Sequence, residues 1–316
     1  MQISSIVWRN APAWLVQGDQ LEAVITVTGA NLACLRQRGD EVNPLWQPPW
    51  PWADPATVVG RPDGPYGDWP EAPLLANIVG SNLCLDRFGM PWPGERRPLH
   101  GEAGVVPWRV VAHGETAEFT TDLPEARLRV RRRVTLAGDA LVLATAACHD
   151  HDGPRAVEWC EHTTLGDPFL DGVEITAGID RVLESAGEGL PLRDHDPVQA
   201  LRVPGVNDPP AGSVLAARVT EPWWQADNRK LGRRLRAVWN RDDFPWLTLW
   251  TQHRHRSHAP WKLLGRTRGM EMATKPFPSD RPAPGRSRYL LDRPVECLIP
   301  AGAWREHVIR FTWTTI

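Results

Sequence analysis

Long apolar runs are missing from this sequence. No stretch approaches the ~20 residues that a membrane-spanning helix needs, and residues 1–17 hold no basic segment followed by an apolar one, so no export signal is expected. Charge of one sign is missing too. Lys and Arg together number 36 against 38 Asp and Glu, a formal net charge of −2, which argues against a chain built to coat nucleic acid or an anionic membrane. Cysteine is sparse: Cys34, Cys84, Cys148, Cys160 and Cys297 are odd in number, widely spaced and never form Cys-x-x-Cys. Buried free thiols are therefore expected rather than a disulfide framework or a zinc site. There is no Gly-x-Gly-x-x-Gly, no glycine-rich loop ending in Lys-Ser/Thr and no Gly-x-Ser-x-Gly elbow, which removes the common dinucleotide, phosphate-loop and serine-hydrolase signatures. The class left is a cytoplasmic enzyme or binding protein.

Lysine and tyrosine are almost absent as well. Lys230, Lys262 and Lys275 are the lysines, and there are 2 Tyr and 6 Phe beside 17 Trp. Indole faces stack on the apolar faces of sugar rings, and they also fill wide sheet cores; both uses are open for any one of these residues.

Helical periodicity is scarce, and 26 Gly and 31 Pro break the chain into short segments, which suits strands and turns. Residues 127–136 alternate: Leu128, Val130, Arg132 and Val134 face one way and Arg127, Arg129, Arg131 and Arg133 the other, a strand with a basic face. Gly138-Asp139 then turns the chain into an apolar strand over 140–147, making a hairpin. Further strands are expected over 21–28, 105–112, 156–163, 213–219, 235–239, 246–251, 268–273 and 307–313. The pattern predicts an all-β fold, a large antiparallel β-sandwich with little helix, in one domain over residues 1–316. Two irregular stretches remain. Residues 43–73 carry Trp46, Trp50, Trp52 and Trp69 among many prolines, and 185–210 are rich in Pro, Gly and Asp; ordered loops of such length often serve function.

Four islands could carry chemistry. The first runs from Leu85-Asp86-Arg87-Phe88-Gly89 through Pro98-Leu99-His100-Gly101 to Val106-Pro107-Trp108. The second is Glu158-Trp159-Cys160-Glu161-His162-Thr163-Thr164-Leu165-Gly166, with a His near the end of a strand. In the third, Arg268 to Ala273 followed by Pro276-Phe277-Pro278, alternation sets Met270 and Met272 on one face and Glu271 alone on the other. A carboxyl with apolar neighbours needs a partner or a function; a salt bridge to an Arg is the structural option. The fourth, His253-Arg254-His255-Arg256-Ser257-His258, has alternating His that could ligate a metal, but Arg254 and Arg256 oppose a cation and a solvated or sugar-facing loop is expected. His149-Asp150-His151-Asp152 before Gly153-Pro154 is read as a polar turn.

His100-Gly101, Glu161-His162 and Glu271 before Pro276-Phe277-Pro278, in that order on an all-β background, resemble the galactose mutarotase-like, or aldose 1-epimerase, superfamily, on its uncharacterised epimerase-like branch. The resemblance covers most of the chain. It implies a β-supersandwich with its site on a concave sheet face, and interconversion of sugar anomers by acid–base ring opening. It casts Glu271 as the base on the C1 hydroxyl, His162 as the acid on the ring oxygen and His100 as a further polar contact. Arg87 would bind a sugar hydroxyl, and Trp108, or a Trp from the 46–69 loop, would wall the cavity. It implies no cofactor and no metal. The partner would be a small carbohydrate, a free sugar or a derivative, with no nucleic acid and no membrane. The family's sugar-holding Asp has no counterpart in a recognisable motif: Asp194, Asp196, Asp208 and Asp227 all fall in its window. Two other readings stay open, a non-catalytic carbohydrate-binding protein of the same fold and a polysaccharide-processing lyase or hydrolase. A hydrolase would need a second carboxylate beside Glu271.

Overall fold

A computed structural model of the chain describes residues 1–91, 94–95, 97–113, 115–185, 191–278 and 289–316. Strand takes up 52% and helix 4%, so the layers are sheets, as the alternating segments predicted. In chain order the strands are β1 (Gln2–Trp8), β2 (Ala11–Gln17), β3 (Leu21–Thr26), β4 (Leu32–Gln37), β5 (Ser81–Asp86), β6 (Arg109–His113) and β7 (Thr116–Leu123). There follow β8 (Leu128–Ala137), β9 (Ala140–Cys148), β10 (Arg155–Gly166), β11 (Val173–Ser185), β12 (Leu192–His195), β13 (Ala211–Asn228) and β14 (Arg233–Trp239). The last are β15 (Trp246–His253), β16 (Arg266–Ala273), β17 (Tyr289–Leu290), β18 (Arg293–Pro294), β19 (Cys297–Ile299) and β20 (Arg305–Thr315). Among the described residues no helix is long and apolar enough to cross a membrane.

Two antiparallel layers result. One runs from the β1–β5 meander through β10, β16 and β15 to β13. The other runs β6, β7, β8, β9, β20, β14 and again β13. β13 joins them: its Ala211–Arg218 half pairs with β15 and its Trp223–Asn228 half with β14. Its partner β11 breaks register twice near Ala177 and Ile179, at the level where β13 changes neighbours. Bulges of this kind let a strand bend from one layer into the next.

The core lies between the layers. Trp14 of β2 meets Phe119 of β7 with ring centroids 5.2 Å apart, and Trp159, Trp224, Phe311 and Trp313 are buried in the same cluster. β8 alternates as expected, with Leu128, Val130, Arg132 and Val134 buried. Arg132 is thus a charge in the core. Its Nη2 donates to Glu161 Oε1 of β10 at 2.7 Å, and Ser81 Oγ donates to the same oxygen. The 138–139 turn and the β8–β9 hairpin are present. β6 starts at Arg109, later than expected, because the preceding residues bond to the 27–29 turn: Gly29 N donates to Val106 O and Trp108 N to Val27 O. Within 185–210, Pro and Asp punctuate rather than break: Asp196 caps a short helix, Pro197–Leu201, by accepting from Gln199 N.

His307 of β20 is 2% exposed, stacked on Trp159 at 4.3 Å and edge-on to Phe244 at 4.7 Å. Burial, with Arg305 adding to it, lowers its pKa to about 3. Cys297 Sγ lies 3.6 Å and Asp243 Oδ1 3.9 Å from its Nε2, and Arg305 Nε is 3.3 Å away. The folded state therefore holds His307 neutral while the unfolded chain protonates it below about 6.5. Its contribution to stability is intact above that pH and is lost as pH falls toward about 3. In His307→Phe, chemical unfolding at a series of pH values should show an acid-side slope shallower by ~1.4 kcal/mol per pH unit. An unchanged slope would mean that this imidazole does not sense acid.

Candidate active site

β10 and β16 lie side by side with His162 directly opposite Glu271. Asn82 of β5 and Thr248 of β15 extend the same row. Period-two alternation turns Met270 and Met272 into the core and Glu271 to the other face of the sheet. It splits Glu161-His162 in the same way: Glu161 faces Arg132 in the core and His162 faces a cleft. His162 Nε2 and Glu271 Oε1 are 3.2 Å apart. They are not aligned as a hydrogen bond, and Glu271 Oε1 is a buried acceptor with no hydrogen-bond partner. On its other side, His162 Nδ1 lies 3.1 Å from Thr164 Oγ1.

His100 comes from the segment after β5. Its ring is 5.4 Å from that of His162 and stacks on Phe88 at 5.5 Å. Gly89 N donates to His100 Nδ1 at 3.0 Å, so the neutral ring carries its proton on Nε2. The glycines in these motifs are required by contact. A Cβ on Gly101, at φ +79°, would lie 2.4 Å from Leu85 O, and one on Gly89, at φ +121°, would overlap Pro278 O. Phe88-Gly89, His100-Gly101 and Pro276-Phe277-Pro278 are therefore parts of one interlocked unit that holds the imidazole.

These three side chains line a cleft open to solvent. Leu75, Ile78 and Val214 supply apolar wall, and Trp250 and Trp261 the aromatic wall. Trp250 is edge-on to His162 at 5.5 Å and to Trp261 at 5.9 Å. Arg256 sits with its guanidinium 5.3 Å from the Trp261 ring and 5.8 Å from Trp250. Glu71 clamps it, accepting from Arg256 Nη1 at 2.9 Å while its other oxygen lies against His258 Nε2 at 2.5 Å. The His253–His258 island thus supplies one cleft residue, Arg256. Its His side chains diverge, since His253 bonds Asp208 O and His258 bonds Glu71. Among the described residues no cluster of His, Cys, Asp and Glu could hold a metal ion.

Two of the expected binding residues lie elsewhere. Arg87 is buried against Glu95 at 2.7 Å and Glu158 at 3.5 Å, off the cleft wall. Trp108 is 2% exposed in the main core, its Nε1 donating to Ala103 O. Trp46 and Trp50 form a second layer behind the wall: Trp46 stacks on Trp261 at 5.6 Å, and Trp50 meets it edge-on at 4.8 Å. Sequence reasoning missed Trp250, Trp261, Arg256 and Glu71 as cleft residues. The length of the 43–73 loop pointed at the region of Glu71, but no pattern marked which residue turns inward.

Burial governs the proton states. It lowers His162 to about 4, with Arg256 adding to the effect. It lowers His100 well below the usual 6.5, helped by His162, Lys275 and Arg256. It raises Glu271 well above 4.5 against the opposing pull of Arg268. The free protein therefore holds neutral imidazoles at neutral pH, and of the pair Glu271 binds its proton more tightly than His162. Sequence reasoning, which had no measure of burial, expected an ionised Glu271 beside a protonated His162.

Two antiparallel sheet layers with a cleft on an outer sheet face make up a galactose mutarotase-like fold. The chain matches a galactose mutarotase-like protein from Clostridium acetobutylicum with a TM-score of 0.68 at 12% identity, over 100% of this chain and 99% of that one. It matches a galactose mutarotase related enzyme from Lactobacillus acidophilus with a TM-score of 0.66 at 13% identity, over 96% and 97%. For a galactose mutarotase-like protein from Lactobacillus casei the values are 0.62 and 12%, over 96% and 100%. No family model and no curated protein matches the sequence.

Proposed function

We propose that this cleft interconverts the anomers of a sugar by general acid–base catalysis, the aldose 1-epimerase reaction. The observation that carries the proposal is the His162–Glu271 pair: two groups able to transfer protons, 3.2 Å apart in an aromatic-walled cleft. The reaction must move protons at two oxygens bonded to the same carbon, O1 and the ring oxygen O5, so its catalytic groups must themselves be neighbours. Ring opening takes the O1 proton to one group while the other protonates O5. The C1–O5 bond breaks with its electrons going to O5, and C1=O1 forms. Rotation about C1–C2 and the reverse transfers close the ring on the other face.

The resting state starts this cycle with His162 as the base and Glu271 as the acid. Opening the ring then leaves His162 protonated and Glu271 ionised. Glu271 removes the O5 proton and His162 returns one to O1 as the ring closes, so each turnover visits both proton arrangements. This reverses the oxygens in the assignment implied by the resemblance, where Glu271 serves O1 and His162 serves O5; here His162 serves O1 and Glu271 serves O5. His100, neutral with Nδ1 engaged by Gly89, offers its Nε2–H to a sugar oxygen. Trp250 and Trp261 offer faces for the ring to stack on.

NMR saturation transfer between anomers, over a panel of aldoses and sugar phosphates, tests this directly. Exchange no faster than in buffer for every sugar rejects it. The pair also makes a pH forecast. Activity needs one proton on the pair. It should fall on the acid side as His162 takes a second proton near pH 4, and on the alkaline side as Glu271 loses its own, well above 4.5. A nitrogen-15 signal of His162 that changes across the alkaline limb would instead assign the sole proton to His162.

A further inference from the structure

We propose that Gly269 is a positioning residue for Glu271, its missing side chain being the space in which the carboxyl lies. This rests on the reading of Glu271 as a proton-transfer group. Gly269 is buried in the interior of β16, paired with Thr164 of β10 on one side and Trp250 of β15 on the other. Glycine is a poor choice there for the fold itself, because it adds chain entropy to the unfolded state and packs nothing. Residues two apart share a sheet face, so Gly269 and Glu271 project to the same side. A Cβ at 269 would stand 2.4 Å from Glu271 Oε1, 3.2 Å from its Cδ and 2.9 Å from Trp250 Cβ.

Glu271 therefore folds back over the bare backbone of Gly269, and from there Oε1 reaches within 3.2 Å of His162 Nε2. Any side chain at 269 removes that position. The carboxyl can make room only by swinging away from this seat, toward the cleft that it lines. Gly269 thus sets both the distance between the two proton-transfer groups and the seat of the Trp250 ring beside them.

The experiment compares Gly269→Ala in two backgrounds, with Glu271 and with Glu271→Asp. An Asp carboxyl is one methylene shorter and does not reach the space that a methyl at 269 would fill. Anomer exchange should fall on the order of 10²-fold for Gly269→Ala when Glu271 is present, the size expected of a misplacement of about 1 Å. In the Asp background the same change should cost less than about twofold. A nitrogen-15 NMR titration of His162 supplies a readout that does not depend on turnover. The midpoint, held at about 4 in the wild type by burial with Arg256 adding to it, should move in Gly269→Ala because the displaced carboxyl changes the packing and solvation around the ring. Wild-type exchange and an unmoved midpoint in Gly269→Ala would overturn the inference. So would equal losses in both backgrounds, which would trace the damage to Trp250 instead. If Gly269→Ala alone does not fold, recovery of folding in the double variant supports the inference and continued failure overturns it. If the wild type exchanges no sugar, the proposed reaction fails, and the His162 midpoint alone decides the role of Gly269.

Discussion

Glu271→Gln should lower anomer exchange by at least about two orders of magnitude, within the ~10²–10⁴-fold range of general acid–base contributions, while sugar affinity changes by no more than a few-fold. Gln has the size of Glu, still fits over Gly269, and still offers a carbonyl oxygen to a sugar hydroxyl. It cannot give up or take a proton at neutral pH, so the cycle stops at its first transfer. His162→Gln should cause a similar loss. The double variant should lose far less than the product of the two, because one relay is broken once. Stability should move the other way. Burial raises the carboxyl well above its unfolded value of 4.5, so the wild type loses stability as pH rises from there through the folded value. Gln has no such cost, and the variant should melt no lower than the wild type at neutral pH and higher on the alkaline side. If Glu271 instead served to balance a buried Arg, Gln would lower the melting temperature and leave sugar binding as it was. The nearest candidate, Arg268, already donates to Thr251 Oγ1 and Ala200 O. Retained exchange in a folded Glu271→Gln protein would take this residue out of the mechanism.

Arg132→Met should destabilise the protein by ~3–5 kcal/mol, the cost of leaving a buried carboxylate without its cation. Arg132 and Glu161 are 0% and 2% exposed and join the two sheet layers across the core. Without the guanidinium, Glu161 keeps, among the described residues, the Ser81 hydroxyl, which also touches Thr163 Oγ1 at 2.9 Å. In a domain of this size the loss corresponds to roughly 10 °C in melting temperature. Replacing both partners, Arg132→Met with Glu161→Leu, should recover most of it, because an apolar pair has no charge to desolvate. The measurement is chemical unfolding of the single and double variants. A single variant within about 1 kcal/mol of wild type, or a double variant less stable than the single, would show that this ion pair does not hold the layers together.

The all-β architecture was legible because alternation reports burial locally. Leu128, Val130, Arg132 and Val134 face the core as their spacing required, and the Gly138-Asp139 turn set the hairpin that follows. The strands over 32–37 and 81–86 escaped that reading because they are buried on both faces: every residue of β5 and the first four of β4 are buried, so no period shows. In the site, His100, His162 and Glu271 stood out because each departs from its surroundings, a polar group in an apolar strand or a His before Gly. The structure brings all three to one cleft.

Which partner each of them meets was not in the sequence. The 3.2 Å approach of His162 to Glu271 depends on the β10–β16 register, a pairing between segments about a hundred residues apart in the chain. Arg87 and Trp108 looked equally suited to a sugar, yet ion pairs with Glu95 and Glu158 take the first and the core takes the second. Trp250, Trp261, Arg256 and Glu71 reach the cleft through the packing of the 43–80 segment against the β15–β16 connection, a contact that leaves no local signature. The sequence by itself determined the sheet class, the alternation that sorts core from cleft, and three of the chemically distinct residues, because these follow from local sterics and side-chain type. Register, burial and the higher proton affinity of Glu271 than of His162 were decided by the tertiary structure. They depend on which side chains exclude water around each group, and that is set by residues remote in sequence.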